Sequence, residues 1–534
     1  MSKAEAPPPV PADEAAAQPA AESGGIARAA SIIALGNIAS RTLGLVRVQI
    51  IAYLFGAGGL VSVFYTASIV PTMIYDLLIG GTLSAALVPV FSEVAEHEGR
   101  PALWGLFSRV ASLAAIVLAA VVLVVEALAP QLAWLLGGGY DAELQLALVR
   151  MLRIIAPAVF FLGLSGIVTG LLYALKRFTY PAFGAAVFNL GIVVAAPLLA
   201  GRLDAFSLAV GVLLGSTLQL LIQTPDLRDV RLRFKLDLAH PALRRILTLY
   251  LPIGLGIIVS NIQMTVDRRL ASGTGESSVA WMANATNLIQ LPHGLVAVAI
   301  SLAVLPTLSR LAARHDVPAF RATLGQGLRL VLVLILPATL GLLVLGRPII
   351  SLLFQHGQFT AHDTLWTSRA LDLYLLGLVF AAIDWPLNYA FYARHDTLTP
   401  ALVGVLSVGV YLVVALALVG PLGMLGLVLA DSAKHFGHAL TMLFLTRRRI
   451  GALADLRLGR TAGKALLAAA VMAAVALLSL AGVQALAGAE SLLARFLAVA
   501  LPGALGLATF LGLAALLRID EIRTLRDLVL RRLR

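Results

Sequence analysis

The stretch SIIALGNIASRTLGLVRVQIIAY, Ser31 to Tyr53, decides what kind of molecule this is. It is an apolar run of membrane length that carries Arg41 and Arg47 inside it. Arg41 lies about nine residues past Ile32, and at about 1.5 Å per residue its guanidinium falls near the middle of a bilayer. A charge at that depth is costly unless it faces a partner or a wet cavity, which makes Arg41 a functional candidate by default. A plainer alternative stays open, in which the pair snorkels to the interface or closes a salt bridge, and it is stronger for Arg47 near one end. The stretch therefore reads as the first helix of a transporter with a cationic cavity.

Composition points the same way. The 534 residues are 60% hydrophobic and 13% charged, with a mean hydropathy of +0.93. A soluble domain of this size is excluded, and repeated apolar runs of about 20 residues imply an all-α polytopic membrane protein. The ten-residue alternation of a transmembrane barrel is missing. With no cysteine, disulfides, thiol catalysis and Cys-ligated metals are ruled out. The net charge of +12 sits in short loops between spans, where it orients a membrane protein, so no nucleic-acid partner is expected.

Residues 1–26, rich in Pro, Ala and Glu, are expected to be a disordered cytoplasmic tail, and they lack the apolar core of a signal peptide. About fourteen spans follow, the first over about 28–55. The second run, about 60–92, holds Pro71, Gly80, Gly81 and Pro89, and is too long for one straight crossing, so a bent or broken helix is expected there. Later spans fall near 104–136, 143–175, 180–200, 204–223, 246–270, 279–311, 324–354, 364–393, 400–420, 422–446, 463–484 and 491–517. Basic residues collect after even-numbered spans, above all in 226–245 and from Arg447 to Lys464. Loops after odd-numbered spans are nearly bare, which predicts two cytoplasmic termini.

The chain also repeats itself. YALKRFTYPA (Tyr173–Ala182) matches YARHDTLTPA (Tyr392–Ala401), and ALVPVFSEVA (Ala86–Ala95) matches AVLPTLSRLA (Ala303–Ala312), at nearly one offset. Two parallel six-helix bundles, 27–225 and 246–446, are implied, joined by the basic loop 226–245. A basic loop with two further helices (447–518) and a basic tail (519–534) complete the chain. Parallel repeats place a substrate path between halves, with alternating access as the default mechanism.

Seven stretches together resemble the MurJ (MviN) lipid II flippase family of the multidrug/oligosaccharidyl-lipid/polysaccharide exporter superfamily. They are SRTLGLVRVQIIAYLFGAG (Ser40–Gly58), NIQMTVDRRLAS (Asn261–Ser272), SVAWM (Ser278–Met282), LPHG (Leu291–Gly294), LPTLS (Leu305–Ser309), LFQHGQFT (Leu353–Thr360) and FYARHDTLTP (Phe391–Pro400). The resemblance implies fourteen helices in a V-shaped pair of bundles, with a groove at helices thirteen and fourteen for a lipid tail. It implies movement of the undecaprenyl-linked peptidoglycan precursor from the inner to the outer leaflet of the bacterial inner membrane. Arg41 and Arg47 match the family's first-helix arginines. Ser62 stands where many relatives have an acid, Tyr75 and Asp76 where many have paired arginines, Gly80 where many have Glu, and Asn287 where the eighth helix carries an arginine.

The expected substrate-binding set is Arg41, Arg47, Asp76 and Asn287. Planar guanidinium donors suit the oxygens of a lipid-linked pyrophosphate, and Asp76 would pair with an arginine as a gate or sit at a wet helix break. Pro71, Gly80 and Gly81 would let the second helix bend. Asp267, Asp384 and Asp431 are the candidates for cation coupling, against the blander reading of interfacial or interhelical pairs. In relatives with a sodium site the residue matching Asp267 is a ligand, aided by the eleventh helix; here that helix offers no carboxylate or amide. No resident metal or cofactor is expected, with sodium or membrane-potential coupling left open. No Walker A loop or catalytic constellation is present, so the chain is not expected to be an enzyme. Its expected partners are the polyprenyl-pyrophosphate lipid and membrane lipids, and it is expected to act as a monomer. Two rivals remain: a cation-coupled small-molecule exporter, and a non-transporting scaffold of the cell envelope.

Overall fold

The computed structural model describes residues 12–78, 82–237, 240–451, 457–487 and 491–522, with only the backbone described for 12–30, 74–78, 82–86, 247, 249–260 and 487. Among the described residues there is no strand. The helices are α1 (Ala12–Phe55), α2 (Gly59–Ala67), α3 (Ile69–Leu78), α4 (Thr82–His97), α5 (Gly99–Ala127), α6 (Ala129–Gly137), α7 (Ala142–Ala174), α8 (Thr179–Leu203) and α9 (Phe206–Leu221). After the basic loop come α10 (Pro241–Ser272) and α11 (Ser278–Pro292), which runs through a π-helical turn (His293–Val298) into α12 (Ala299–Ala313). They are followed by α13 (Val317–Phe354), α14 (Ala361–Tyr392), α15 (Leu398–Leu422), α16 (Met424–Arg449), α17 (Leu458–Ala487) and α18 (Leu492–Leu516).

Several starts are written locally. Asp316 caps α13 by accepting from the Ala319 N–H at 3.0 Å, and Ser491 caps α18 through Ala494. Thr360 and Asp363 form a reciprocal capping box on α14. Pro241 opens α10, five residues before the expected start, because a proline at the first helical position lacks only a donor that would be unsatisfied anyway.

Eleven described helices are long and apolar enough to cross a membrane. The expected count of fourteen is not reached by that measure, because the second run, α10 and α16 fall outside it. The second run is interrupted at Ser68, between α2 and α3, and Gly80 and Gly81 lie outside the described residues. Helix α16 is 26 residues long, but Asp431, Lys434, His435 and His438 dilute its apolar character. The third expected span is split: α5 stops at Ala127 and α6 starts at Ala129, with Pro130 in its first turn, where a proline is tolerated though it would break a helix interior. Helix α1 also starts at Ala12, within the tail expected to be disordered, where an alanine-rich run favours helix. Outward-facing Leu198, Val413 and Leu478 are 75%, 71% and 74% exposed, as lipid-facing side chains would be.

Packing gathers the chain into two units. Unit 1 holds the chain up to Ile50 with Ala67–Pro130 and Val149–Ile257; unit 2 holds Ile51–Thr66, Gln131–Leu148 and the chain from Ile258. The repeat is visible in the backbone of both. Lys176 and His395, at equivalent places in the repeat, both have φ 59°. Asp204 and Gly423, the residues ending α8 and α15, share φ/ψ of 48°/−141° and 58°/−135°.

In unit 1 the basic loop is clipped onto α5 and the turn between α7 and α8. The N–H groups of Arg233 and Lys235 donate to Ser108 and Ser112 at 3.2 and 3.0 Å. Arg177 grips both oxygens of Asp229 at 2.8 Å, and Arg100 reaches the same carboxylate at 3.2 Å. The hydrogen bonds from Arg177 hold the Asp229 carboxyl below the usual range, and the same pairing raises the guanidinium.

In unit 2 several of the family-like stretches meet. The Gln358 N–H donates to the Tyr53 carbonyl at 3.0 Å, and the Ala280 N–H, in the first turn of α11, donates to Ser62 Oγ at 3.2 Å. Trp281 donates its indole N–H to Asp363 at 2.8 Å and stacks on Trp366. Thr66 and Tyr140 share a hydrogen bond at 3.0 Å, and burial pushes the Tyr140 phenol up to about 12. Gly357 must be glycine twice over: its φ is +60°, and a Cβ would sit 2.2 Å from the Tyr53 carbonyl oxygen. Helices α17 and α18 pack on α13, where Arg329 pairs with Glu521 at 2.5 Å.

Candidate functional site

Arg41 and Arg47 lie on α1 in unit 1, and the structure treats them differently. Six residues at 3.6 per turn set them about 120° apart around the helix. Arg47 is half-buried and donates to Asn189 Oδ1 of α8 at 2.9 Å. The Asn189 amide is anchored by donating to the Ser40 and Ala185 carbonyls at 3.2 and 3.1 Å. An amide with its donors already committed presents its oxygen to Arg47 in one orientation, so it fixes the rotamer. Arg41 is exposed, and among the described residues nothing forms a hydrogen bond or ion pair with it. Asp76 lies in α3, but its side chain is outside the described residues. Pro71 is buried in α3, just after the interruption at Ser68.

Unit 2 carries the other candidates. Asn287 is half-buried on α11. Asp267 of α10 accepts from the Tyr411 hydroxyl of α15 at 2.5 Å. The eleventh span thus does supply a partner, a phenol rather than a carboxylate or amide. A phenol donating its proton to Asp267 is a poor ligand for a hard cation, and among the described residues no cluster of three or more acidic, His or Cys side chains could hold a metal ion. A sodium site of the kind the resemblance implies does not fit this donor set.

Asp431, Lys434, His435 and His438 recur at helical spacing and line one face of α16. Lys434 Nζ lies 2.5 Å from Asp431, and His435 Nε2 lies 3.6 Å from the same carboxylate. One further turn along, His438 Nδ1 faces Asp384 Oδ1 of α14 at 3.0 Å. Asp384 is 6% exposed. Its neighbour Trp385 donates to His293 Nε2 at 3.1 Å, at the head of the π-helical turn.

Three participants were not singled out from sequence as partners: Asn189, Tyr411 and His438. Asn189 and Tyr411 had a signal, being lone polar groups in apolar spans. For His438 the signal was the three- and four-residue spacing back to Asp431. What sequence could not supply was which helix each would face.

The family model described as lipid II flippase MurJ matches residues 51–498. A lipid II flippase MurJ of Burkholderia cenocepacia is 30% identical over 428 residues, covering 78% of this chain and 82% of that one. A probable lipid II flippase MurJ of Vibrio cholerae is 31% identical over 430 residues, covering 78% and 81%. In fold, the chain is similar to a solved lipid II flippase MurJ in an inward closed conformation, with TM-score 0.78 and 24% identity over 92% of this chain and 99% of the other. It is also similar to an inward-facing multidrug resistance MATE family transporter of the MOP superfamily, with TM-score 0.66 and 16% identity over 78% and 96%. The chain therefore belongs to the lipid II flippase MurJ family and is a multi-pass protein of the inner membrane.

Proposed function

We infer that this chain moves lipid II, or a closely related polyprenyl-pyrophosphate-linked precursor, from the inner to the outer leaflet by alternating access. The observation that carries this reading is the family match over residues 51–498, which takes in both units.

The chemistry of α1 supports it. The cargo head group is an anion, and Arg41 is an exposed guanidinium at mid-span depth, able to give parallel N–H donors to phosphate oxygens. Arg47, oriented by Asn189, serves as the second cationic contact. Asp76 and Asn287 complete the proposed substrate set, the acid as a gate and the amide as a neutral polar contact. Pro71, with Gly80 and Gly81, gives the second run its capacity to bend. The transporting core is read as the two six-helix repeats, with the last two helices offering a seat for the lipid tail. Both termini face the cytoplasm, following the basic loops. The chain works as a monomer, breaks no covalent bond of its cargo, and draws its drive from a cation or the membrane potential, with Asp267, Asp384 and Asp431 as the coupling candidates.

Complementation tests the reading. In a strain depleted of its own lipid II flippase, the chain should restore growth, and Arg41→Ala should fail while reaching the membrane at the same level. Growth restored equally by both would refute the role of Arg41; rescue by neither, with correct insertion, would refute the cargo.

A further inference from the structure

The most unusual polar contact inside unit 2 is between Asp384 Oδ1 and His438 Nδ1. The two atoms are 3.0 Å apart, and each is buried without a hydrogen bond to any other group. Both carry lone pairs, so bare they repel; one proton between them turns the repulsion into a hydrogen bond. The pair therefore holds at least one proton. With only that proton it bears one net negative charge, as a carboxylate beside a neutral imidazole. A second proton makes it neutral overall, as either an imidazolium carboxylate or a carboxylic acid beside a neutral ring. Within membrane-spanning helices an uncompensated charge is disfavoured, so the two states differ in how strongly α14 and α16 are held together.

We propose that the Asp384–His438 pair is a proton-binding site, and that taking up and releasing one proton there is coupled to the transport step. This rests on the flippase reading and names the coupling ion. On uptake an O–H or N–H bond forms with a proton drawn from water on one side; on release the same bond breaks and the proton passes to water on the other.

The surroundings suit a relay. Lys434 acts on Asp384 through space, and His438 acts on His435. Asp431 and His293 act in turn on His435, while Asp267 and Arg268 of α10 and Tyr411 of α15 lie beyond them. Asp431 is already matched by Lys434 and Asp267 by Tyr411, which leaves Asp384 and His438 as the two buried groups whose facing atoms have only each other.

The test uses the full chain in liposomes with fluorescent lipid II, its distribution between leaflets read with a membrane-impermeant quencher. Potassium and valinomycin hold the membrane potential at zero. A one-unit pH difference should shift the steady-state ratio between leaflets about tenfold for one coupled proton. Asp384→Asn and His438→Gln should lose that shift while still letting the lipid equilibrate, and Asp384→Glu, which keeps the carboxyl, should retain it. A wild-type ratio indifferent to pH difference, or an unchanged shift in both variants, would overturn the proposal. If the wild type moves no lipid, the flippase reading falls, and nitrogen-15 histidine spectra decide the proton site separately. A His438 signal that stays unchanged as the pH is varied would overturn it. The same spectra serve if the variants do not fold.

Discussion

The two units handle the charges of their long helices differently. In unit 1, α1 carries Arg41 exposed and Arg47 against the neutral amide of Asn189. In unit 2, three carboxylates of α10, α14 and α16 each face a proton-bearing group from the same or another helix: Tyr411 for Asp267, Lys434 for Asp431, His438 for Asp384. A charge answered inside the protein has its field consumed there, whereas an exposed cation at membrane depth is available to an anionic ligand. Under the proposed function, unit 1 would recognise the cargo and unit 2 would couple the energy.

The largest expected effect breaks the first half of that division. Arg41→Ala should reduce transport at least about thirtyfold, the loss of about 2 kcal/mol of charge-assisted hydrogen bonding, with Arg41→Lys intermediate because it keeps the charge but not the fork. Growth and leaflet-transfer rates measure both. Next comes the join within unit 2. Gly357→Val should separate Gln358 from the Tyr53 carbonyl and lower the thermal midpoint, the backbone strain alone costing about 1–3 kcal/mol. Gly404→Ala, where a Cβ meets nothing within 4 Å, is the matched control and should be neutral or slightly stabilising.

A subtler prediction sharpens the contrast in pH response. The lowered carboxyl of Asp229 contributes to stability above the ordinary carboxylate range, and that contribution is lost as pH falls through its lowered value. Protease cleavage in the basic loop should therefore rise on acidification below about pH 4. Asp229→Asn should be cleaved readily at neutral pH, with little further change in acid. Smallest of all, Asp204 holds a backbone conformation that its counterpart Gly423 adopts freely. Asp204→Gly should stabilise by about 1 kcal/mol, a rise of a few degrees in the thermal midpoint.

Much of this was legible in the sequence, because the membrane forces apolar runs and the repeat leaves matching motifs at one offset. A break in the second run was expected at its prolines and glycines; the described interruption falls at Ser68, and Gly80 and Gly81 lie outside the described residues. The span count was not legible, since α16 spends its apolar surplus on Asp431, Lys434, His435 and His438, the second run is interrupted at Ser68, and α10 is not among the helices counted. The arginines of α1 were legible as a cost that needs a use. Their setting was not: Asn189 lies 142 positions from Arg47, and no local rule joins them. The family-like stretches SVAWM and LFQHGQFT were legible as signatures but not as what they do, which is to dock Trp281 on the capped start of α14.

The most direct test of the central claim is transfer of fluorescent lipid II between leaflets by the purified chain in liposomes, wild type against Arg41→Ala. Transfer by the wild type and its loss in the variant, with both equally folded and inserted, is the expected result. Equal transfer by the two proteins would contradict the claim that the exposed guanidinium of unit 1 carries the cargo.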